Sequence, residues 1–430
     1  MKNRWLGLMA LPLVLTACGG GDEGSADSGI SGKPSGEITV LTNRTDIVDT
    51  DLKKYAAAFE KKYPDVKVEF QAITDYEGEV KIRMNTDDYG DVLLIPGSVQ
   101  RSDYPKFFEP LGSSGEMAQK YNWTDFATVQ DKTYGLAPFG TANGFVYNKK
   151  VWAAAGVTST PTTPQEFLAG LKAIKDKTDA IPYYTNYKDG WPLGSWYEAL
   201  GSATCDTGAN RDLATTKKPW DEGEPLKIVD TMLYDMVAQK LVEPDPATTS
   251  WEDSKNLLGG GKVGAMWLGS FAVSQMRDAA TKAGGDPEDI GFLPFPARKD
   301  GKFCSVTVPD ARQAINVHSE HKAAAYAWIK WFTEESGFAQ KEGAIPTVKG
   351  AEMPATLADH EKAGVKYIQL DQSKAAEVGM IDQAAEVGLG KPDYRRRIID
   401  VARGAGDGDL QDIFGDLNEK WSNGLGSAGL

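Results

Sequence analysis

Between Ile38 and Ile95 the chain runs strand, helix, strand, helix, strand, and that order admits few folds. Ile38-Thr39-Val40-Leu41 is a short β-rich run. Thr50 is placed to cap a helix in which Leu52, Tyr55, Phe59 and Tyr63 recur at helical spacing, with Lys and Glu between them. Pro64 ends that helix. Val66, Val68 and Phe70 alternate with Lys67 and Glu69, which predicts a half-buried strand. A polar, helix-like segment then leads to Val92-Leu93-Leu94-Ile95, the run of a buried strand. The pattern predicts a parallel, doubly wound sheet. In such sheets ligands bind beyond the carboxyl ends of the strands. Here those ends are Asn43-Arg44-Thr45-Asp46, after Thr42, and Gly97-Ser98, after Pro96. Polar and glycine residues in these places also suit ordinary turns.

The alternation continues. Tyr134 to Gly140 leads into the extended stretch Phe145-Val146-Tyr147-Asn148. Thr163 caps a helix with Pro164 at its first position. Leu226 to Gln239 reads as a helix. Val263 to Leu268, Ile290 to Leu293 and Ala314 to Val317 read as strands. Ala323 to Thr333 is an apolar helix carrying Trp328, Ile329, Trp331 and Phe332, and the chain beyond Glu361 reads as helical with Gly breaks.

The chain starts differently. Lys2 and Arg4 precede an apolar run from Trp5 to Thr16, the layout of a signal peptide over residues 1–17. The run is shorter than the roughly 20 apolar residues a membrane helix needs. Leu15-Thr16-Ala17-Cys18 reads as a bacterial lipobox, with cleavage before Cys18 and a diacylglycerol on its sulfur; an ordinary signal peptide with an incidental cysteine is the other reading. Residues 18–36 are rich in Gly and Ser, without apolar periodicity, and predict a flexible tether. A body beginning at Glu37 on a lipid leash would sit on the outer face of the cell membrane.

That body is too long for one small core, so two lobes are expected. With 41% apolar and 25% charged residues the chain as a whole has a globular composition. A net charge of −14 argues against nucleic acid as a partner. The one compact basic run is Arg395-Arg396-Arg397. Cys205 and Cys304 remain for an oxidising compartment; whether they pair is open at this level. His318 and His321 lie three apart without a third ligand nearby and read as solvated residues at a helix start, so no metal site or cofactor is expected.

Several segments, in order, carry a resemblance: ITVLTNRTDIVDTDLKKYAAAFEKKYPDVKVEF, GDVLLIPGS, YGLAPFGTANGFVYNKKVWAAAG with PTTPQEFLAGLKAIK, then GKVGAMWLGSFA, DIGFLPFP and AINVHSEHKAAAYAWIKWFTEESGFAQKEGAIPTVKG. Together they resemble the extracellular solute-binding proteins of ABC importers, in the carbohydrate-type cluster that includes maltose-binding protein. The resemblance implies a periplasmic-binding-protein-like α/β fold of two lobes joined by hinge segments, closing on a ligand in the cleft between them. It puts the first lobe at 37–141 plus 292–330 and the second at 142–291 plus 334–430. The crossings fall near 139–144, 290–295 and 331–334. The implied partners are a carbohydrate ligand and the permease and ATPase subunits of a transporter, with the binding protein itself a monomer.

Sugars offer apolar C–H faces and a rim of hydroxyls, matched by aromatic rings and planar polar side chains. The densest aromatic stretch runs from Tyr184 to Tyr197, and in the family it faces the cleft from the second lobe. Trp191 follows Asp189-Gly190 in a loop and is the first candidate for ligand stacking. Trp196 and Trp267 suit either core or cleft. The resemblance adds Ser270 and Phe271 at a helix start, Thr141 and Asn143 at a crossing, Asp310, Tyr394, and from the first lobe Asn43, Arg44, Thr45, Asp46, Gly97 and Ser98. Ile95-Pro96-Gly97 stands where related chains place an aromatic or acid, so no particular sugar carries over. An extracellular glycoside hydrolase would need two carboxylates about 5–10 Å apart across the cleft, and no acid motif sits among the aromatic loops. No nucleophile elbow or P-loop is present. A polyamine ligand, held by acids and aromatic faces, is the remaining alternative, besides a structural lipoprotein.

Overall fold

The computed structural model describes residues 29–429. The signal segment 1–17 and Cys18 lie outside the described residues. Two sheets organise the chain. The first has the strand order 66–72, 36–42, 92–94, 313–316, 108–109. Its first three strands are parallel, with Gly36 opposite Val66 and Val40 opposite Val92. Gln313–Asn316 then returns antiparallel, Ala314 opposite Leu93. The expected doubly wound unit is therefore closed on one side by a strand from far along the chain.

The second sheet is built around Phe139–Asn148. This ten-residue strand is buried at every position but Tyr147, which is half-buried. It pairs antiparallel with Val263–Gly269, Ile290–Leu293, Cys304–Asp310 and Ile345–Pro346. Gly140 faces Pro309 on one side and Ile345 on the other. Three chain segments thus pass side by side between the lobes at this point.

That arrangement moves the lobe boundaries. Residues 292–310, expected in the first lobe, belong to the second: Phe292, Leu293 and Phe295 pack in its cores, and Cys304–Asp310 is a strand of its sheet. The chain reaches the first lobe only at Ala311–Gln313. It leaves again near Ala344, not near Trp331. Helix Lys322–Glu334 buries Trp328, Trp331 and Phe332 in the first core, and Phe338, Ala339 and Ala344 extend the same core. Apolar surface of that size holds the segment in the lobe that covers it.

The start of the body also moves. Gly29–Ser31 forms a 3₁₀ turn against helix Lys322–Glu334, Lys33 pairs with Asp65 at 2.6 Å, and Gly36 already pairs with Val66. Ile30, the one large apolar side chain of the expected tether, packs on the first core, so residues 29–36 belong to the folded body.

Local signals mostly act as read. Thr163 accepts a hydrogen bond from Glu166 N at 3.1 Å, with Pro164 in the first turn. The helix before Pro64 spans Lys53–Lys62, and Phe59 meets the Trp328 ring edge-on at 5.3 Å. Thr50 is not its cap. The turn Val48–Leu52 is a π-helical lead-in, and the Thr50 hydroxyl donates back to Ile47 O at 3.3 Å.

Cys205 and Cys304 form a disulfide, with Cα atoms 5.3 Å apart. It ties the end of helix Ala199–Thr204 to the strand that carries Asp310. His318 reaches Asp87 at 3.3 Å across the surface. His360 is fully buried and stacks on Phe292 with ring centroids 4.6 Å apart; burial pushes its pKa down to about 4.

Candidate ligand-binding site

A cavity of 210 Å³ lies where the lobes meet. Asn43 and Arg44 line it from the first lobe, Phe271 and Gln275 from the second, and Phe139, Asp310 and Gln313 from the crossings. Four of the predicted residues, Asn43, Arg44, Phe271 and Asp310, are thereby brought together. Sequence reasoning missed Glu342 and Gln275. Glu342 lies in a segment the resemblance assigned to the other lobe, and Gln275 sits one turn beyond Phe271.

The Arg44 guanidinium is held from two sides. It forms a two-pronged pair with Asp46, both bonds at 2.9 Å, and reaches Glu342 at 2.8 Å. Burial alone would lower its pKa, but the two carboxylates outweigh that and hold it above the ordinary range. The same contact with Arg44 holds Asp46 below the usual carboxylate range. Asp46 is therefore a positioning group for Arg44. Thr45 is exposed beside it, its N–H bonded to Asn43 O at 3.0 Å. Asp310 lines the cavity at an exposed position, and the protein packed around it still holds its carboxyl above the usual range.

Phe271 starts helix Phe271–Lys282 and is fixed by its neighbours. The Thr141 hydroxyl lies 3.1 Å from Ser270 Oγ and accepts from Phe271 N at 3.4 Å; Ser270 Oγ also accepts from Ala142 N at 3.1 Å. Both hydroxyls are buried and spent on each other. Their role is to lock the helix start onto the crossing strand, not to meet a ligand. Gly269 makes the fit possible, since a Cβ there would stand 2.6 Å from Thr141 Oγ1.

Trp191 is 42% exposed, one of three large apolar side chains so placed among the described residues. Its ring lies 6.3 Å from Phe271 and meets Trp251 edge-on at 5.1 Å, so an aromatic platform borders the cavity. Trp251 was missed because nothing in its own segment distinguishes it. Asp189 brings it in, accepting from Trp251 N at 2.5 Å. Arg396 clamps the same loop through Tyr187 O at 2.9 Å and Lys188 O at 2.7 Å. Gly190 supplies the positive φ, 78°, at which the loop turns into Trp191. A ring held this way loses little freedom on binding.

Other candidates lie elsewhere. Trp196 and Trp267 are core residues 5.5 Å apart, and Trp267 Nε1 donates to Ser195 O at 3.1 Å. Tyr394 is buried against Trp220, ring centroids 6.0 Å apart. Each sits on an inward face of its element, which spacing alone does not show. Gly97 and Ser98 are exposed, and Gly97 N is taken by Glu77 at 2.9 Å. Asn143 is buried. It stands beside Glu198, a carboxyl that burial pushes up to about 7, against the pull of Asn143 and with the help of the Asp310 charge. Glu198 was overlooked because it closes the aromatic run Trp196-Tyr197 rather than forming an acid motif.

Residues 45–337 match the family described as bacterial extracellular solute-binding protein. The chain is similar to BlMnBP1, a binding protein of an ABC transporter from Bifidobacterium animalis subsp. lactis, solved in complex with mannobiose. The two are 33% identical with a TM-score of 0.83, over 93% of this chain and 96% of that one. It is similar to BlMnBP2 of the same organism, a manno-oligosaccharide specific solute binding protein solved with mannotriose, at 31% identity and a TM-score of 0.83, over 93% and 97% of the two chains. The diacetylchitobiose binding protein DasA of Streptomyces coelicolor is 25% identical over 357 residues, 79% of this chain and 80% of DasA.

Proposed function

Since the chain belongs to the bacterial extracellular solute-binding protein family, we propose that it captures a sugar or oligosaccharide outside the cell and delivers it to the permease subunits of an ABC importer. The observation that carries this reading is the cavity between the lobes, with Asn43 and Arg44 on one wall and Phe271 on the other, beside the exposed Trp191 ring. One wall suits hydroxyls and the other suits a C–H face. A ligand touching both walls stabilises the closed arrangement of the lobes. Manno-oligosaccharides are the first candidates, since the relatives solved with mannobiose and mannotriose match nearly the whole chain. The protein binds without transforming its ligand.

Calorimetric titration with mannobiose, mannotriose, raffinose, diacetylchitobiose and spermidine tests this. Saturable binding of a saccharide that is recovered intact supports the reading. Binding of spermidine alone, or cleavage of a saccharide, rejects it. Trp191→Ala is expected to weaken saccharide binding by about 1 kcal/mol or more, the range for lost aromatic packing. Unchanged affinity would remove the platform from the site.

The lipobox Leu15–Cys18 supports an anchored form, with Cys18 carrying the lipid and the chain up to Gly29 as the leash. Cys18→Ala is expected to release the protein from membranes into the medium. Retention in the membrane fraction would show that the anchor is elsewhere.

A further inference from the structure

The charges around the cavity between the lobes do not balance. Among the described residues that line it, Arg44 is the one cation, against two acids, Asp310 and Glu342. Asp46 stands behind Arg44 and adds a third carboxylate. The guanidinium is matched twice over: Nε and Nη2 donate to Asp46, both at 2.9 Å, and Nη1 donates to Glu342 at 2.8 Å. Asp310 accepts from a neutral donor, Ala311 N, at 2.7 Å. Arg312 also acts on Asp310, but spends its Nη1 on Phe126 O at 3.0 Å. The protein packed around Asp310 raises its carboxyl, and the Ala311 N–H, Arg312 and Arg44 only partly offset that.

A guanidinium has five N–H donors. Three of those on Arg44 are taken, which leaves one on Nη1 and one on Nη2. These two can donate to a hydroxyl oxygen, and the free lone pairs of Glu342 and Asp310 can accept from a hydroxyl. A neutral sugar therefore finds both kinds of partner. A ligand carboxylate or phosphate finds no unmatched cation on the wall. It has to compete for Arg44 with carboxylates already bound there, and it has to approach Asp310. Like charges repel about four times as strongly near a protein as in bulk water. The start of helix Phe271–Lys282 works the other way, with about half a positive charge at its end. That half charge is outnumbered by the carboxylates, and Phe271 N already donates to the Thr141 hydroxyl at 3.4 Å.

We propose that the cavity selects its ligand by charge: it takes uncharged saccharides and rejects those carrying a carboxylate or phosphate, and Asp46 and Glu342 set this selectivity by neutralising Arg44. This rests on the saccharide-binding function proposed above and narrows its ligand class. Arg44 by itself reads as a clamp for an acidic sugar. Its two partners make it a donor to hydroxyls instead, and Asp46 and Glu342 act on the ligand through it.

The test is calorimetric titration of the intact protein and of its Asp46→Asn, Glu342→Gln double variant. Mannotriose and raffinose serve as neutral probes, and the mannuronate and galacturonate trimers as acidic ones. Mannuronate carries a carboxylate where mannose carries its C6 hydroxymethyl group, so charge is the main difference within that pair. The wild type is expected to bind the better neutral probe at least about a hundredfold more tightly than either acidic trimer, the scale of a like-charge clash at a binding surface. In the double variant the amides keep the shape of the carboxylates and free the Arg44 charge, and the ratio of neutral to acidic affinity is expected to fall at least about tenfold. Asp46→Asn alone, at the more exposed of the two acids, should shift the ratio the same way if the double variant does not fold. Wild-type binding of an acidic trimer as tight as that of the neutral probes overturns the charge selection and leaves saccharide binding standing. An unchanged ratio in a folded variant overturns it as well, since the two carboxylates then set nothing. Binding of neither class by the wild type removes the function itself, and this inference with it.

Discussion

Asp230→Ala is expected to destabilise the protein by about 3–5 kcal/mol, the cost of leaving one partner of a buried ion pair behind. Asp230 and Arg395 are both fully buried, with Arg395 Nε donating to Asp230 Oδ1 at 3.0 Å. Arg395 Nη1 also donates to Leu193 O at 3.2 Å and Leu389 O at 3.0 Å, and Trp220 Nε1 donates to Asp230 Oδ2 at 2.9 Å. Alanine would strand the guanidinium charge and the indole N–H together. The alternative explanation, lost packing, is separated by a double variant. Asp230→Met with Arg395→Met removes both charges and fills similar volume, and should cost far less than Asp230→Ala alone. Denaturant unfolding reads both. A single-variant loss below about 1 kcal/mol would mean that water reaches the pair. Leu193 lies two residues from Trp191, so the single variant should also weaken saccharide binding by loosening the loop.

The same pair shows where the sequence stops being informative. Arg395-Arg396-Arg397 looks like a basic patch, yet each arginine has a partner in the chain: Arg395 is buried on Asp230, Arg396 holds the carbonyls of the Trp191 loop, and Arg397 pairs with Asp416 at the surface. Side-chain pairing over 165 residues, as for Arg395 and Asp230, leaves no trace in local spacing. Periodicity did reveal the strands and helices of the first unit, because burial there follows the repeat of each element. It could not tell Trp191 from Trp196, five residues on. The first is turned outward by Gly190 at positive φ, while the second points into a core with Trp267 and Phe145. The lobe boundaries slipped for a related reason. Cys304–Asp310 is β-like in either lobe, and only its register against Thr141 and Ala142 decides. The cleft was legible as loop positions near Asn43 and Phe271. Trp251 was not, since it joins the Trp191 platform only through Asp189, distant in sequence.

Opening the Cys205–Cys304 bridge is the other change with a large expected effect. The two residues are 99 apart, and cross-linking a loop of that size stabilises by about 4–5 kcal/mol in the chain-entropy account, with about 2–5 typical on removal from small secreted domains. Cys205→Ser with Cys304→Ala should therefore lower stability by about 2–4 kcal/mol. Cys304 packs in the same core as Leu200 and Val306, so part of this loss is side-chain burial and remains even if the entropy term is small. A reductant separates the two contributions. It should lower the denaturation midpoint of the wild type and leave that of the double variant where it was. An equal shift in both would show that the reductant acts elsewhere. Ligand affinity should change little in the variant at temperatures where it is folded. Asp310 is held at the cavity by pairing of its strand, Asp310 opposite Phe139 and Val308 opposite Thr141, and that pairing does not involve the sulfur bridge at the strand's other end. A bridge that stabilises the second lobe without shaping the cleft suits a protein that must persist outside the cell while its lobes stay free to close.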